Sequence, residues 1–127
     1  MPDLPTSCLE EAVRLIRENP QSVVTGPSGD GSFYLIGLTA QSGRVPRLFA
    51  DVRWGTQNAL DDVEAGVRAF EFAVHRVAEW HDVDTPDDLA ALAERLRHDP
   101  TSATCTTDAL RRAGVINDPK ASSRLRP

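Results

Sequence analysis

The sequence predicts an α+β fold for one domain over residues 1–116. The expected order is an N-terminal helix, a three-stranded antiparallel meander, a long central helix packed on the sheet, and two shorter C-terminal helices. Three observations lead to this prediction: apolar residues at helical spacing through residues 59–81, β-branched runs separated by Gly- and Pro-rich turns before them, and helix-capping signals after them. A length of 127 residues fits one domain.

The first third of the chain predicts one helix and the three strands. Ser7 and Glu10 fit a capping box at the start of the helix, and Pro20 ends it. Strands are expected at residues 22–25, 32–39 and 47–54, separated by turns at residues 26–31 (GPSGDG) and 41–44 (QSGR). Because these connections are short, an antiparallel meander is favoured.

Residues 59–81 predict the long central helix. Asn58 is its expected N-cap, and Asp61 and Asp62 place negative charge in the first turn, where the helix dipole favours it. Gly66 lowers helix propensity, so close packing against a neighbour is expected there. The apolar residues cover more than half of the circumference, which is too much for one neighbouring element to bury.

The last third predicts two helices and a tail. Thr85 is an N-cap followed by Pro86, and this helix runs to about His98. A short helix follows over about residues 107–113 and ends at Gly114. Residues 117–127 are expected to form a mobile tail.

Composition restricts the class of protein. A net charge of −5 disfavours nucleic acid and anionic membranes as partners, and no apolar run is long enough to span a bilayer. The first residues do not have the pattern of a secretory signal, so a cytoplasmic location is expected. Cys8 and Cys105 are then free thiols. No motif for a cofactor is present.

The order helix, three strands, helix over roughly residues 7–80 resembles that of the double-stranded-RNA-binding domain. In such domains a basic helix start contacts phosphates. Here Asp61 and Asp62 occupy that position and would repel RNA. The resemblance therefore concerns the order of elements and not the function.

Two patterns have a spacing close to that of a binding motif. Residues 26–32 approach the spacing of a phosphate-binding loop, but the lysine is missing and a strand follows, so we interpret them as a hairpin loop. Glu71, His75 and Glu79 recur every four residues, and in the predicted helix they are interpreted as solvated rather than as metal ligands. No metal site is predicted.

The surplus of apolar residues predicts a surface for a partner. Phe33, Leu35 and Phe49 fall on the sheet face opposite the main apolar face, and Phe72 lies off the stripe of the central helix. The first functional hypothesis is therefore a non-enzymatic cytoplasmic module that binds another protein or itself, as an adaptor, an immunity-type inhibitor or a self-associating regulator.

Two alternatives stay open. One is a small enzyme or small-molecule binder with a pocket between the sheet and the C-terminal helices, where His81 and Cys105 are catalytic candidates and Trp54 and Trp80 are ligand-binding candidates. The other is DNA binding through the C-terminal helices, for which the favourable residues are Arg111 and Arg112.

Overall fold

The computed structural model describes residues 1–39 and 45–117, and it confirms the α+β class. The elements are α1 (Thr6–Glu18), β1 (Ser22–Pro27), β2 (Phe33–Gly37), α2 (Val45–Leu48), α3 (Ala59–Ala69), β3 (Ala73–Arg76), α4 (Pro86–His98) and α5 (Thr104–Arg112). Two compact units are formed, one by Pro5–Asp82 and the other by Met1–Leu4 with the chain from Val83 onward. In the part of the chain that is described, no helix is long and apolar enough to cross a membrane.

The sheet has three strands in the order β2-β1-β3, and it is mixed. β1 pairs antiparallel with β2 and parallel with β3. The predicted antiparallel meander is therefore wrong. Its third strand, at residues 47–54, is replaced by the single-turn helix α2 and by turns. Pro46 favours this outcome, because proline has no N–H to donate to a strand ladder and is well tolerated in a first helical turn.

The prediction of a long central helix is also wrong, because residues 59–81 contain a helix followed by a strand. α3 ends at Ala69, and Glu71 turns the chain with a φ of 61° before β3 begins at Ala73. Phe70, Phe72 and Val74 are apolar at every second position, which is the period of a strand. The same residues also fit helical steps of three or four, so the two patterns overlap in this stretch.

The sheet forms the centre of the unit Pro5–Asp82. β1 is buried along its whole length. Val23 packs with Val63 and Val67 of α3 on one face, whereas Val24 packs with Ala12 of α1 on the other. The close packing predicted at Gly66 is confirmed. α3 approaches α2 there so closely that a Cβ on Gly66 would lie 2.9 Å from the backbone oxygen of Leu48.

The second unit is built on α4 and α5. Its core contains Leu92, Leu96 and Ile116. The predicted cap of α4 is confirmed, since Thr85 Oγ1 accepts from the Asp88 amide and the Asp88 carboxylate accepts from the Thr85 amide. The carboxylate of Asp3, itself buried, accepts from Arg95 Nε at 2.6 Å and so holds the first residues of the chain on α4.

Three smaller predictions have different outcomes. α1 begins at Thr6 after Pro5, with no side-chain cap, so the Ser7 capping box is not formed. α5 begins at Thr104, earlier than expected, and Gly114 follows it with a φ of 73°, as a C-terminal cap residue should. The turn at residues 41–44 and all but the first residue of the predicted tail lie outside the described residues.

Candidate functional site at the carboxyl edge of the sheet

Two segments meet at one edge of the sheet because β1 and β3 are parallel. Residues 28–32 follow β1, and residues 77–81 follow β3, so both leave the sheet at the carboxyl ends of the strands. In open sheets with parallel strands, ligands bind outside these ends. We refer to residues 28–32 and 77–81 together as the carboxyl-edge site.

Backbone hydrogen bonds extend the pairing of β1 and β3 into this site. The Val77 amide donates to the Thr25 carbonyl at 2.9 Å, and the Trp80 amide donates to the Pro27 carbonyl at 3.1 Å. A parallel bridge then joins Ser28 to Trp80. Trp80 and its neighbour His81, whose ring centroids are 5.5 Å apart, therefore lie beside the loop that follows β1.

The loop after β1 is held in place by Gly31. Its φ is 83°, and a Cβ there would lie 1.9 Å from the carbonyl oxygen of Gln57, so only glycine fits without displacing the backbone. The Gly31 carbonyl also accepts from the Leu60 amide at 3.1 Å, which ties the loop to the start of α3. Asp30 Oδ1 accepts from the amide and the hydroxyl of Ser32, at 3.0 and 2.5 Å, and closes the turn.

The loop retains hydrogen-bonding capacity that the described part of the protein does not use. Ser28 is 4% exposed, and its hydroxyl makes no hydrogen bond there. A buried polar group costs free energy when it has no partner, so an unsatisfied hydroxyl beside a loop is a candidate ligand contact.

An ion-pair cluster lies below this edge, on the α3 face of the sheet. Glu64 of α3 is 1% exposed, and its carboxylate accepts from Thr25 Oγ1 at 2.9 Å. Arg76 binds the same carboxylate through Nε and Nη2, both at 2.8 Å, and Arg68 Nη2 lies 3.6 Å from it. Because Thr25 and Arg76 are register neighbours in β1 and β3, Glu64 joins three elements.

The cations determine the charge state of Glu64. Burial raises the pKa of its carboxyl, but the hydrogen bonds from Arg76 and Thr25 and the charges of Arg76 and Arg68 outweigh this effect. The pKa therefore lies below its ordinary value of 4.5, and Glu64 is an anion at neutral pH. About half of the Arg76 side chain remains exposed.

The predicted chemical residues are not all in one place. Trp80 and His81 lie at the carboxyl-edge site, and His81 is exposed, outside any helix. Cys105 is exposed in the first turn of α5, in the other compact unit. Trp54 is 57% exposed and lies with its ring 6.2 Å from the rings of both Phe33 and Phe49.

Glu71, His75 and Glu79 do not share a helix face, because the helix ends before them. Among the described residues, no group of three or more His, Cys, Asp or Glu side chains could hold a metal ion. Glu79 instead contributes to the edge, where its carboxylate oxygen lies 3.2 Å from the position that a Cβ on Gly29 would take.

The four predicted interface residues do not form one surface. Phe33, Phe49 and Phe72 are partly buried against the core between the sheet and α3. Leu35 packs on the opposite side of the sheet, with the core under α1. Their role in binding a partner stays a prediction.

Comparison with known proteins finds a bacterial family and a solved structure that resemble this chain. The family described as an uncharacterized protein conserved in bacteria (DUF2064) matches residues 1–56. A crystal structure from Desulfovibrio desulfuricans G20, of a protein provisionally assigned as a nucleotide-diphospho-sugar transferase, superposes with a TM-score of 0.73 and 26% sequence identity. The match covers 87% of this chain but 48% of that one, so the chain spans about half the length of the related structure. No curated protein matches the chain.

These findings correct the first functional hypothesis. A non-enzymatic binding module is contradicted by the likeness to the transferase and by the family match. The alternative of a small enzyme agrees better with them. Surplus apolar residues and negative net charge do not by themselves favour a non-enzymatic module, since sites assembled from separate strands leave no local motif.

Sequence reasoning missed Glu64, Arg76 and Ser28. In the helix predicted for residues 59–81, Glu64 falls on the polar side, together with Asp61 and Arg68. The alternation from Phe70 to Val74 was the signal that could have located β3 and therefore Arg76. Neither pattern reveals that Glu64 faces β1, because that contact depends on the pairing of distant strands.

Proposed function

We propose that this chain forms part of a transferase that uses a nucleotide-diphospho-sugar, and that the ligand binds at the carboxyl-edge site. The observation that carries the proposal is the likeness to the Desulfovibrio structure, which extends over 87% of this chain. The position of the site rests separately on the parallel pairing of β1 and β3, because ligands bind at the carboxyl ends of such strands.

The chemistry of the edge suits the parts of such a ligand. The amides of Gly29 and Gly31 and the exposed part of Arg76 are donors for diphosphate oxygens. The Ser28 hydroxyl is a donor or acceptor for a sugar hydroxyl. The ring of Trp80 provides an apolar face on which a sugar or a base can stack.

His81 is the residue that we propose as the general base. A neutral imidazole can take the proton of the acceptor hydroxyl while that oxygen attacks the anomeric carbon. The bond from the anomeric carbon to the diphosphate breaks, and the nucleoside diphosphate leaves with the electron pair. This role requires the acceptor to lie within about 3 Å of the imidazole in the complex.

Binding of sugar nucleotides tests the proposal most directly. Isothermal titration calorimetry with UDP-glucose and GDP-mannose, with and without Mg²⁺, should detect binding of at least one of them. Trp80→Ala should weaken binding about tenfold, since stacking on an aromatic ring is worth roughly 1–3 kcal/mol for each base. His81→Ala should abolish transfer and change affinity less than threefold.

Matched controls distinguish the edge from the rest of the surface. Trp54→Ala removes an exposed tryptophan, and His98→Ala removes an exposed histidine on α4. Both variants should bind within twofold of the unsubstituted chain. Equal losses in Trp54→Ala and Trp80→Ala would contradict the location of the site, and no heat with any sugar nucleotide would count against the function itself.

A further inference from the structure

Tyr34 lies at an irregularity in the pairing of β1 with β2, next to the carboxyl-edge site. The register pairs Gly26 with Leu35, and Pro27 with Phe33. Tyr34 is therefore an extra residue in β2, as in a β-bulge. Pro27 has no N–H to donate to the ladder, which suits such a position. Bulges change the direction of a side chain and are frequent beside active sites.

The Tyr34 side chain crosses β1 on the α1 side of the sheet. Successive side chains of a regular strand point to opposite faces. Tyr34 and Leu35 nevertheless both pack on the core that contains Ala12 of α1. The Tyr34 ring lies over Gly26, where a Cβ would come within 2.6 Å of Cζ. The missing side chain of Gly26 therefore gives the ring its path across β1.

The hydroxyl of Tyr34 reaches the segment that follows β3. It donates to the Ala78 carbonyl at 2.6 Å and so joins β2 to residues 77–81 across β1. On either side of Ala78, the amides of Val77 and Trp80 donate to carbonyl groups of β1. The Tyr34 hydroxyl thus adds a side-chain contact to a segment that is otherwise held through its backbone.

The Tyr34 hydroxyl remains a donor at neutral pH. Burial raises its pKa above the ordinary value of 10.0, and the neighbouring side chain of Cys8 adds to this effect. Cys8 is itself buried in α1. The hydrogen bond to Ala78 is therefore present throughout the pH range in which an enzyme of this kind would work.

We propose that Tyr34 is a positioning residue of the carboxyl-edge site. Its hydrogen bond to Ala78 fixes the segment 77–81. This places the ring of Trp80 and the imidazole of His81 where they meet the ligand. The effect on ligand binding rests on the proposed function, whereas the effect on the position of Trp80 does not.

Quenching of Trp80 fluorescence by acrylamide tests the position of the segment without a ligand. The chain has two tryptophans, so Trp54→Phe leaves Trp80 as the single probe. In that background Tyr34→Phe keeps the ring and removes the hydroxyl. It should raise the quenching constant about twofold, because the segment gains motion. Thr39→Val is the matched control: it removes a hydroxyl that donates to the Pro20 carbonyl at 3.1 Å, beyond the other end of β2, and should leave quenching unchanged.

Gly26→Ala is a second variant, and it keeps the hydroxyl. Its Cβ would displace the Tyr34 ring, so a similar increase in quenching is expected. When Gly26→Ala is combined with Tyr34→Phe, the increase should not exceed that of Tyr34→Phe alone, because both substitutions act on the same hydrogen bond. Circular dichroism checks that each variant is folded.

Calorimetric titration with UDP-glucose and GDP-mannose measures the consequence for the ligand. Tyr34→Phe should weaken binding several-fold, because the stacking ring of Trp80 is less well held. Thr39→Val should bind within about twofold of the unsubstituted chain. In a Trp80→Ala background, Tyr34→Phe should cause little further loss, since its effect on affinity is transmitted through Trp80.

Three results would overturn the inference. They are unchanged quenching in Tyr34→Phe, an equal increase in Thr39→Val, and undiminished binding in Tyr34→Phe when the unsubstituted chain binds a sugar nucleotide. If the unsubstituted chain binds none, the proposed function fails, and the quenching comparison still decides whether Tyr34 holds the segment 77–81.

Discussion

Glu64 lies where three elements of the unit Pro5–Asp82 meet. Its carboxylate is buried, and it binds Thr25 of β1 and Arg76 of β3 from a helix that follows both β1 and β2 in the chain. Removing one member of a buried ion pair leaves the other members without a partner, which costs more than the pair contributes. Glu64 therefore has a larger role in stability than its place in a polar helical pattern suggests.

Glu64→Ala should lower the free energy of unfolding by about 3 kcal/mol, because Arg76 and Thr25 lose their common acceptor. Urea denaturation followed by tryptophan fluorescence measures the change. Glu64→Gln keeps an acceptor for Thr25 and should lower the free energy of unfolding less than Glu64→Ala does. Arg14→Ala, which breaks two exposed ion pairs on α1, is the control and should lower the free energy of unfolding much less. Equal effects of Glu64→Ala and Arg14→Ala would contradict a structural role for the cluster.

Glu71 adopts the left-handed backbone conformation between α3 and β3, with a φ of 61°. That conformation costs a residue with a Cβ roughly 1–2 kcal/mol, whereas glycine adopts it without strain. Relief of this strain stabilises the folded state, whereas the extra conformational entropy of glycine stabilises the unfolded chain. The net effect of Glu71→Gly should be to raise the free energy of unfolding by up to about 1 kcal/mol.

The same urea denaturation checks Glu71→Gly against Glu79→Gly. Among the described residues other than glycine, Glu71 alone has a positive φ, so Glu79→Gly relieves no strain. It should leave stability unchanged or lower it. If both substitutions lower the free energy of unfolding, the Glu71 side chain stabilises the turn, and its backbone conformation carries no strain that glycine relieves.

At the scale of elements, the N-terminus of α4 is formed by neighbouring residues. Thr85 and Asp88 exchange hydrogen bonds across the first turn, and Pro86 occupies the first helical position. Thr85→Ala should lower the free energy of unfolding by about 1 kcal/mol, the usual effect of losing an N-cap. Thr6→Ala, at the start of α1 where no side chain caps the helix, should change it by less than about 0.5 kcal/mol. Thermal denaturation of both variants gives the comparison.

Elements with local signals were predictable from sequence, and elements defined by distant pairing were not. The cap of α4, the turn at Gly114 and the first two strands were found because neighbouring residues specify them. β3 was assigned to a helix because the short alternation from Phe70 to Val74 also fits helical spacing, and its partner β1 lies about fifty residues earlier in the chain. Trp80 and His81 were chosen as candidates by residue type, but their position beside residues 28–32 required the sheet.

At the scale of the whole molecule, stability should depend on pH through the carboxyl groups whose pKa is lower in the folded state; besides the three named next, these include Glu11 and Glu94. The hydrogen bonds that Arg53 donates from its side chain and amide lower the pKa of Asp62 to about 2, and the pKa values of Glu64 and Asp88 are lowered as well. A carboxyl whose pKa is lower in the folded state adds stability above its unfolded pKa and loses it as the pH falls. The unfolded values are near 4, so the loss begins below about pH 5.

Urea denaturation at pH values from 7 to 2.5 measures this dependence. The free energy of unfolding should be nearly constant above pH 5 and decrease steadily below it. Asp62→Asn removes one titrating group and should make the decrease shallower, with part of the loss already present at pH 7. A decrease that starts between pH 6 and 7 would indicate histidine titration instead.

The mixed sheet implies an order of events during folding. β1 and β2 are joined by residues 28–32, whereas residues 28–72 separate β1 from β3. Closing the longer segment costs more entropy, and contacts distant in the chain slow folding, so the hairpin should form first and β3 should add last. In stopped-flow experiments Val74→Ala should then speed unfolding and leave refolding nearly unchanged. A chain emerging from the ribosome would hold β1 with one side unpaired until β3 had been synthesised.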